Sequence, residues 1–214
     1  MSPPTPIYRA VIFDVGGVIV GSPLEAIAAY ERERGIPAGL INRVVVTTGA
    51  TGAWSRLERG ELTLEAFYPA FDADCAQGGC AISARDLMTR VAAVTVVRPT
   101  MLDAIARIRA RGLLTAVITN NWISEDGWTD ALRDRVDVFI ESSVVGVRKP
   151  DPAIFRLACE RAGIAPAEAI FLDDIGANLK TARVLGMTTI KVADPDVALA
   201  ELEGLLGFSL RSPI

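Results

Sequence analysis

The segment AIFLDDIGANLKTARVLG, residues 169–186, decides the fold because its character changes halfway along. Its first four residues are apolar and predict a buried strand, which leads directly into two carboxylates, Asp173 and Asp174. The remainder predicts a helix over 177–185 that ends at Gly186. A buried strand that passes through an acidic loop into a helix is typical of one unit of an α/β protein.

The same alternation continues on both sides of this segment. Residues 99–111 place Met101, Ile105 and Ile108 on one helical face, and Gly112 ends the helix. Apolar strands that alternate with helices are typical of a parallel sheet covered on both faces, so we expect an α/β, Rossmann-like fold. Further strands are predicted at 8–13, 113–119, 136–141 and 188–192, and further helices at 124–133, 152–162 and 196–206.

Residues 21–94 have a different pattern, since they contain helical segments and no clear strand. We therefore expect a core domain formed by 1–20 and 95–214, with 21–94 as a helical cap domain inserted after the first strand. The predicted helices of the insertion are 23–35, 38–46, 54–59, 63–73 and 83–94.

The composition excludes several kinds of chemistry. The 214 residues include no histidine, which excludes hydrolases that use a histidine base and HExxH zinc sites. A net charge of −4 does not favour a nucleic-acid partner. No apolar run approaches the ~18 residues of a membrane-spanning helix, and no secretory signal is visible. With an odd count of three cysteines, we expect a reducing, cytoplasmic location.

Carboxylates follow two of the predicted strands. Asp14 ends the first strand, and Asp173 and Asp174 end the strand in the opening segment. Because the carboxyl ends of parallel strands lie at one edge of the sheet, we expect these groups to be close together. They would repel one another unless a cation lay among them. Oxygen ligands without histidine indicate Mg²⁺.

Other groups at the same edge suit an anion. Lys149 follows the third strand of the core and can balance a phosphate, while Thr119 offers a hydroxyl donor beside Asn120. Gly16 and Gly17 allow backbone N–H groups to approach an anion closely. Together these groups suit phosphoryl transfer, in which positioning and neutralisation of charge do most of the work.

Four ordered motifs carry a family resemblance. They are VIFDVGGV at 11–18, ITNN at 118–121, RKPDP at 148–152 and FLDDIGANLK at 171–180. In this order they resemble the haloacid dehalogenase (HAD)-like hydrolase superfamily. The fourth is most similar to the N-terminal phosphatase domain of soluble epoxide hydrolase and to the related domain of some acyl-CoA dehydrogenases.

The resemblance implies a role for each residue of these motifs. Asp14 would attack phosphorus and form an aspartyl-phosphate, and Lys149 would assist. The carboxylate of Asp14, the main-chain carbonyl of Gly16 and the side chain of Asp174 would hold Mg²⁺. Asp173 would lie behind them, near Lys149.

The substrate-binding groups follow from the same resemblance. Thr119, the amide of Asn120 and the backbone of Gly16 and Gly17 would bind the phosphoryl oxygens. Asn178 would support the metal site from behind. The helical cap would exclude water and select the substrate, and Arg56 is a candidate for the lining of its cavity. The expected partner is a small phosphorylated metabolite or a lipid phosphate, and analogy suggests a homodimer.

One position departs from the family pattern. Active phosphatases of this superfamily usually carry a second Asp two residues after the nucleophile, and here that residue is Gly16. The acid/base group that it would supply contributes roughly 10²–10⁴ in rate. Glu58, Glu61 and Asp74 are cap carboxylates that could replace it.

Three functions therefore stay open. The first is a Mg²⁺-dependent phosphomonoester hydrolase, which the glycine at position 16 is expected to slow. The second is a 2-haloacid dehalogenase, against which the pair Asp173 and Asp174 argues. The third is a non-catalytic domain that binds a phospholigand, for which Gly16 is the supporting feature.

Overall fold

The computed structural model describes residues 8–123 and 129–211. Its sheet contains the strands β1 (Ala10–Phe13), β2 (Leu114–Thr119), β3 (Val138–Glu141), β4 (Ala169–Asp173) and β5 (Thr188–Lys191). The strand order is β3-β2-β1-β4-β5, and all neighbouring strands are parallel. The predicted α/β, Rossmann-like architecture is confirmed.

The helices surround this sheet and form the segment inserted after β1. Short 3₁₀ turns occur at Gly49–Thr51 and Pro166–Glu168. The helices are α1 (Pro23–Arg34), α2 (Leu40–Thr48), α3 (Ala53–Glu58), α4 (Leu64–Gln77), α5 (Ala84–Ala93), α6 (Pro99–Ala110), α7 (Asp130–Arg133), α8 (Ser142–Val145), α9 (Pro152–Ala162), α10 (Gly176–Val184) and α11 (Pro195–Leu206).

Most predicted bounds differ from these by a few residues. The helix predicted at 152–162 has the same bounds, because Pro152 begins it and Gly163, in the left-handed region, ends it. β3 begins later than the predicted 136, since the side chain of Asp137 bonds both the amide and the hydroxyl of Thr115. The helix predicted at 124–133 lies partly outside the described residues, and α7 is the part within them.

The sheet separates two apolar clusters. Successive residues of a strand point to opposite faces, so Val11 and Phe13 belong to one cluster and Ile12 to the other. The chain adds β2 and β3 on one side of β1, and then β4 and β5 on the other. The ends of β1 and β4 therefore lie at the topological switch point, where α/β proteins bind ligands.

The helices α1–α5 enclose a third apolar cluster of their own. Its centre contains aromatic side chains, among them Trp54, Phe67 and Phe71. The chain enters and leaves this region side by side, since Val20 forms an antiparallel bridge with Val97. We call residues 21–94 the insert. Across the described residues, the helices are too short or too polar to cross a bilayer.

Candidate active site

Lys149 joins two buried carboxylates at the ends of β1 and β4. Its Nζ lies 2.8 Å from Oδ1 of Asp14 and 2.7 Å from Oδ2 of Asp173. The pairing of β1 with β4 explains the meeting, because Phe13 lies opposite Leu172 and the two acids follow them. The lysine is therefore a counter-ion that two acids share.

The backbone fixes one oxygen of Asp14. Oδ1 accepts a hydrogen bond from the amide of Val15 at 2.6 Å, where the tight turn Val15–Ile19 begins. Both hydrogen-bonding contacts that the described residues make to this carboxylate, from Val15 and Lys149, end on Oδ1. Oδ2 is consequently the oxygen that can meet a ligand.

Asp173 is held from several sides. Its Oδ1 accepts a hydrogen bond from the amide of Ile175 at 2.7 Å. Nδ2 of Asn178, in the first turn of α10, lies 3.1 Å from Oδ1 and 3.0 Å from Oδ2. With Lys149 on Oδ2 as well, this carboxylate is fully engaged by protein groups. Asp173 is thus arranged to orient the lysine, and Asn178 holds Asp173 from the other side.

Asp174 is less buried and has a separate support. Its Oδ2 accepts a hydrogen bond from Oγ of Ser22 at 3.0 Å. Gly17 packs against the same carboxylate, because a Cβ at that position would lie 2.1 Å from Oδ2. Gly17 also has a φ of 76°, which favours glycine. Glycine at this position therefore makes room for the carboxylate of Asp174.

The acids carry more charge than Lys149 can balance. One oxygen from each of Asp14, Asp173 and Asp174 lies within 4.8 Å of the others. Burial raises the pKa of Asp14 well above its usual value; Lys149 opposes this rise, and the charges of Asp173 and Asp174 add to it. Burial, followed by the charge of Asp173, also raises the pKa of Asp174. The ionised carboxylates are consequently unfavourable without a further cation.

This donor set fits Mg²⁺. Burial alone lowers the pKa of Lys149, but Asp14 and Asp173 outweigh that effect and raise it, so the lysine stays protonated. Three carboxylates and one lysine leave a net charge of about −2, which a divalent cation neutralises. The carboxylate oxygens are also the hard ligands that Mg²⁺ prefers. We call Asp14, Lys149, Asp173 and Asp174 the Asp14 cluster.

Asn120 links the loops that follow β2 and β3. Its Nδ2 donates to the carbonyl of Lys149 at 3.0 Å, and its Oδ1 accepts from the amide of Lys149 at 2.8 Å. Thr119 is buried at the end of β2, and within the described chain its hydroxyl has no hydrogen-bond partner. The side chain of Asn120 thus fixes the backbone of Lys149, while the hydroxyl of Thr119 is available to a ligand.

Gly16 faces the first turn of the insert. A Cβ at this position would lie 3.2 Å from Cδ and 3.4 Å from Cγ of Pro23, at the start of α1. The backbone of Gly16 has a φ of −65° and a ψ of 127°, which other residues adopt readily. The packing of the Pro23 ring, rather than the backbone conformation, therefore favours the small residue.

Arg56 is not brought to the Asp14 cluster by a direct contact. It lies on α3, with its Nε 3.5 Å from a carboxylate oxygen of Glu61, and no hydrogen bond or ion pair in the described ranges joins it to the cluster.

Asp74 accepts a hydrogen bond from the amide of Ala53 at 2.8 Å. Among Glu58, Glu61 and Asp74 of the insert, Glu58 is the one that a hydrogen bond within the described residues joins to the core.

Two supporting residues lie outside the sequence-based interpretation. Ser22 precedes Pro23 and looks like a helix cap, but its side chain makes no capping bond and binds Asp174 instead. Arg98 donates to the carbonyls of Gly17 at 2.7 Å and Val18 at 2.9 Å. Each residue is of a common type at a connection between the insert and the core. The sequence alone therefore gives no sign of its role.

The chain resembles known proteins over nearly its whole length. It is 44% identical over 209 residues to mouse acyl-CoA dehydrogenase family member 10, and the matched region covers 95% of this chain and 20% of that protein. It is 33% identical over 220 residues to pig bifunctional epoxide hydrolase 2, covering 94% of this chain and 39% of that protein. The chain therefore spans less than half of these relatives.

A solved structure has the same fold. The HAD family enzyme bt-2542 of Bacteroides thetaiotaomicron, in complex with magnesium and inorganic phosphate, matches with a TM-score of 0.61 and 21% identity, over 86% of this chain and 93% of that one. Further relatives of the chain are named as phosphatases. The family model for haloacid dehalogenase-like hydrolases matches residues 8–186. This chain belongs to the haloacid dehalogenase-like hydrolases.

Proposed function

We propose that the chain is a Mg²⁺-dependent phosphomonoester hydrolase that works through an aspartyl-phosphate on Asp14. The observation that carries this proposal is the position of Lys149 between Asp14 and Asp173, with Asp174 beside them at the switch point. The existence of relatives named as phosphatases adds support.

In this proposal Asp14 is the nucleophile. Its Oδ1 is held by Val15 and Lys149, and its Oδ2 attacks phosphorus while the bond to the ester oxygen breaks. Water then cleaves the acyl phosphate, which releases inorganic phosphate and restores the carboxylate. Lys149 stays charged throughout and draws the phosphoryl oxygens towards Asp14.

The remaining groups hold the phosphoryl oxygens. Asp14, Asp174 and the main-chain carbonyl of Gly16 would hold Mg²⁺, which when bound supplies positive charge against those oxygens. The hydroxyl of Thr119 and the amide of Asn120 are proposed to donate to them. Since the side chain of Asn120 is already bonded to Lys149, only its backbone amide is assigned to the substrate.

The absence of an acid at Gly16 predicts which esters react. With no carboxyl group at this position, the leaving alcohol must depart without a proton from residue 16. Aryl phosphates, whose leaving groups are stable as anions, should therefore react much faster than alkyl phosphates. The rate should also fall steeply as the pKa of the leaving group rises.

The insert is proposed to act as a cap over the Asp14 cluster. It has its own apolar cluster, and both of its connections to the core run beside the turn Val15–Ile19. A small phosphorylated metabolite or a lipid phosphate would bind between the cap and the core, in a cytoplasmic setting. Arg56 would contact such a substrate only after its ion pair with Glu61 is broken.

Turnover of p-nitrophenyl phosphate tests this proposal. We expect hydrolysis with Mg²⁺, little with EDTA, and none in Asp14→Asn. Release of halide from 2-chloropropionate without metal would instead favour dehalogenation. Saturable binding of beryllofluoride without any turnover would favour a non-catalytic phospholigand domain, for which the packing of Pro23 on Gly16 is the specific support.

A further inference from the structure

A partly buried ion pair joins the insert to the loop that carries Lys149. Nε of Arg148 donates to Oε2 of Glu58, and Nη1 of Arg148 donates to Oγ of Ser55 at 3.2 Å. Nε1 of Trp54 donates to Oε1 of Glu58 at 3.0 Å. Glu58, Ser55 and Trp54 lie on α3, whereas Arg148 immediately precedes Lys149 in the core.

This pair differs from the other ion pairs of the insert. The side chain of Glu58 is 9% exposed, whereas that of Glu33, which pairs with Arg90, is 56% exposed. Taking a charged pair out of water is costly unless each charge has good partners. Because each oxygen of Glu58 accepts its own hydrogen bond, the contact is well compensated and sensitive to the loss of either side chain.

The contact lies where the insert and the core touch closely. The backbone of Gly60 approaches α8 so nearly that a Cβ there would lie 2.3 Å from the carbonyl oxygen of Ser143. Trp122, in the loop after β2, packs against the apolar cluster of the insert. The chain connections of the insert, at Val20 and Val97, provide a separate attachment.

We propose that Glu58 and Arg148 form a latch that holds the insert closed on the core and keeps Lys149 in place beside Asp14. This inference rests on the proposed function, since both residues are positioning residues for that reaction. Glu58 of the insert holds Arg148 through its side chain. Asn120 of the core holds the next residue, Lys149, through its backbone. Closure of the insert and the position of Lys149 are thereby linked.

The same hydrogen bonds argue against Glu58 as the missing acid. Burial raises the pKa of Glu58, although Arg148 opposes this effect. A proton donor must have a hydroxyl directed at the leaving group, but the two oxygens of Glu58 receive hydrogens from Trp54 and Arg148. The geometry therefore favours positioning over proton transfer.

Glu58→Gln tests the latch with little change of shape, and Glu33→Gln is the matched control on an exposed pair of the insert. We expect faster amide hydrogen exchange in Glu58→Gln at residues 53–60 and 142–149, with no change in the control. We also expect kcat/KM to fall by about 10–100-fold, and equally for an aryl and an alkyl phosphate, because misplacement of Lys149 affects both. Arg148→Lys, which keeps the charge, should lose less than Arg148→Gln.

Two results would overturn the latch. Unchanged exchange and unchanged kinetics in Glu58→Gln would show that the contact positions nothing. A loss confined to the alkyl phosphate would make Glu58 a proton donor. If the wild-type protein hydrolyses neither ester, the proposed function fails, and the exchange experiment alone still decides whether the latch holds the insert closed.

Discussion

The ion pairs on the surface of the insert and those at the ends of β1 and β4 use similar residues in different surroundings. Arg85 and Glu65 lie 2.6 Å apart with side chains 62% and 73% exposed, whereas Lys149, which is 1% exposed, pairs with Asp14 and Asp173 at similar distances. Water screens the first pair and scarcely reaches the second set. The comparison indicates that burial, rather than pairing, sets how strongly these charged groups act on one another.

Asp14→Asn should have the largest effect and separates activity from stability. Removal of the nucleophile should lower kcat by roughly 10⁴-fold or more. The same change should raise the Tm without metal at neutral pH, because the raised pKa of Asp14 means that its charged form destabilises the folded state. That gain should shrink as the pH falls and vanish only below the ordinary Asp pKa of 3.8, where Asp14 is protonated in both the folded and the unfolded state. Thermal unfolding between pH 4 and pH 8 measures it, and a lower Tm at neutral pH would contradict this account.

Lys149→Met tests the burial of the shared cation directly. The substitution leaves Asp14 and Asp173 buried without their counter-ion and should lower the free energy of unfolding by about 3–5 kcal/mol. Urea unfolding without metal provides the measurement. Arg85→Met, on the exposed pair, is the control and should show no measurable loss. Equal losses in the two variants would break the comparison.

Gly17→Ala tests the close approach of Asp174. Alanine in the left-handed region costs about 1–2 kcal/mol, and Gly35→Ala carries the same cost at a φ of 65° with open space around it. Gly17→Ala must in addition displace the Asp174 carboxylate, so its apparent affinity for Mg²⁺ should fall by about tenfold. Titration calorimetry with Mg²⁺ measures this, and Gly35→Ala should bind as the wild type does.

The sequence predicted most of the fold because the fold depends on local patterns. Apolar runs marked each strand, and left-handed glycines such as Gly112 and Gly163 marked the ends of helices. The residues that follow β1 and β4 could be assigned to one edge, since parallel strands bring their carboxyl ends together. The meeting of Asp14, Asp173 and Asp174 therefore needed no knowledge of side-chain contacts.

The contacts that support the site could not be predicted in this way. Ser22 bonds Asp174 across 152 positions, and Arg148 bonds Glu58 across 90. Neither spacing leaves a periodic signal, because the contacts depend on how the insert sits on the core. Residue type alone makes Glu58 and Glu61 equal candidates, and the hydrogen bonds that Glu58 accepts from Trp54 and Arg148 distinguish it.

Gly16→Asp should have the smallest effect. It tests whether the edge of the sheet that carries Asp14 can accept an acid at position 16. The backbone conformation suits aspartate, but its Cβ would lie 3.2 Å from Cδ of Pro23, so the proline must shift by a few tenths of an ångström. We therefore expect a gain of about tenfold in kcat for an alkyl phosphate, below the full range of an acid/base group. Gly16→Asn, which has the same size without the proton, should give no gain. Asp14 is already held by Val15 and Lys149. An unchanged or lower rate in Gly16→Asp would therefore mean that Asp14 is not poised for phosphoryl transfer.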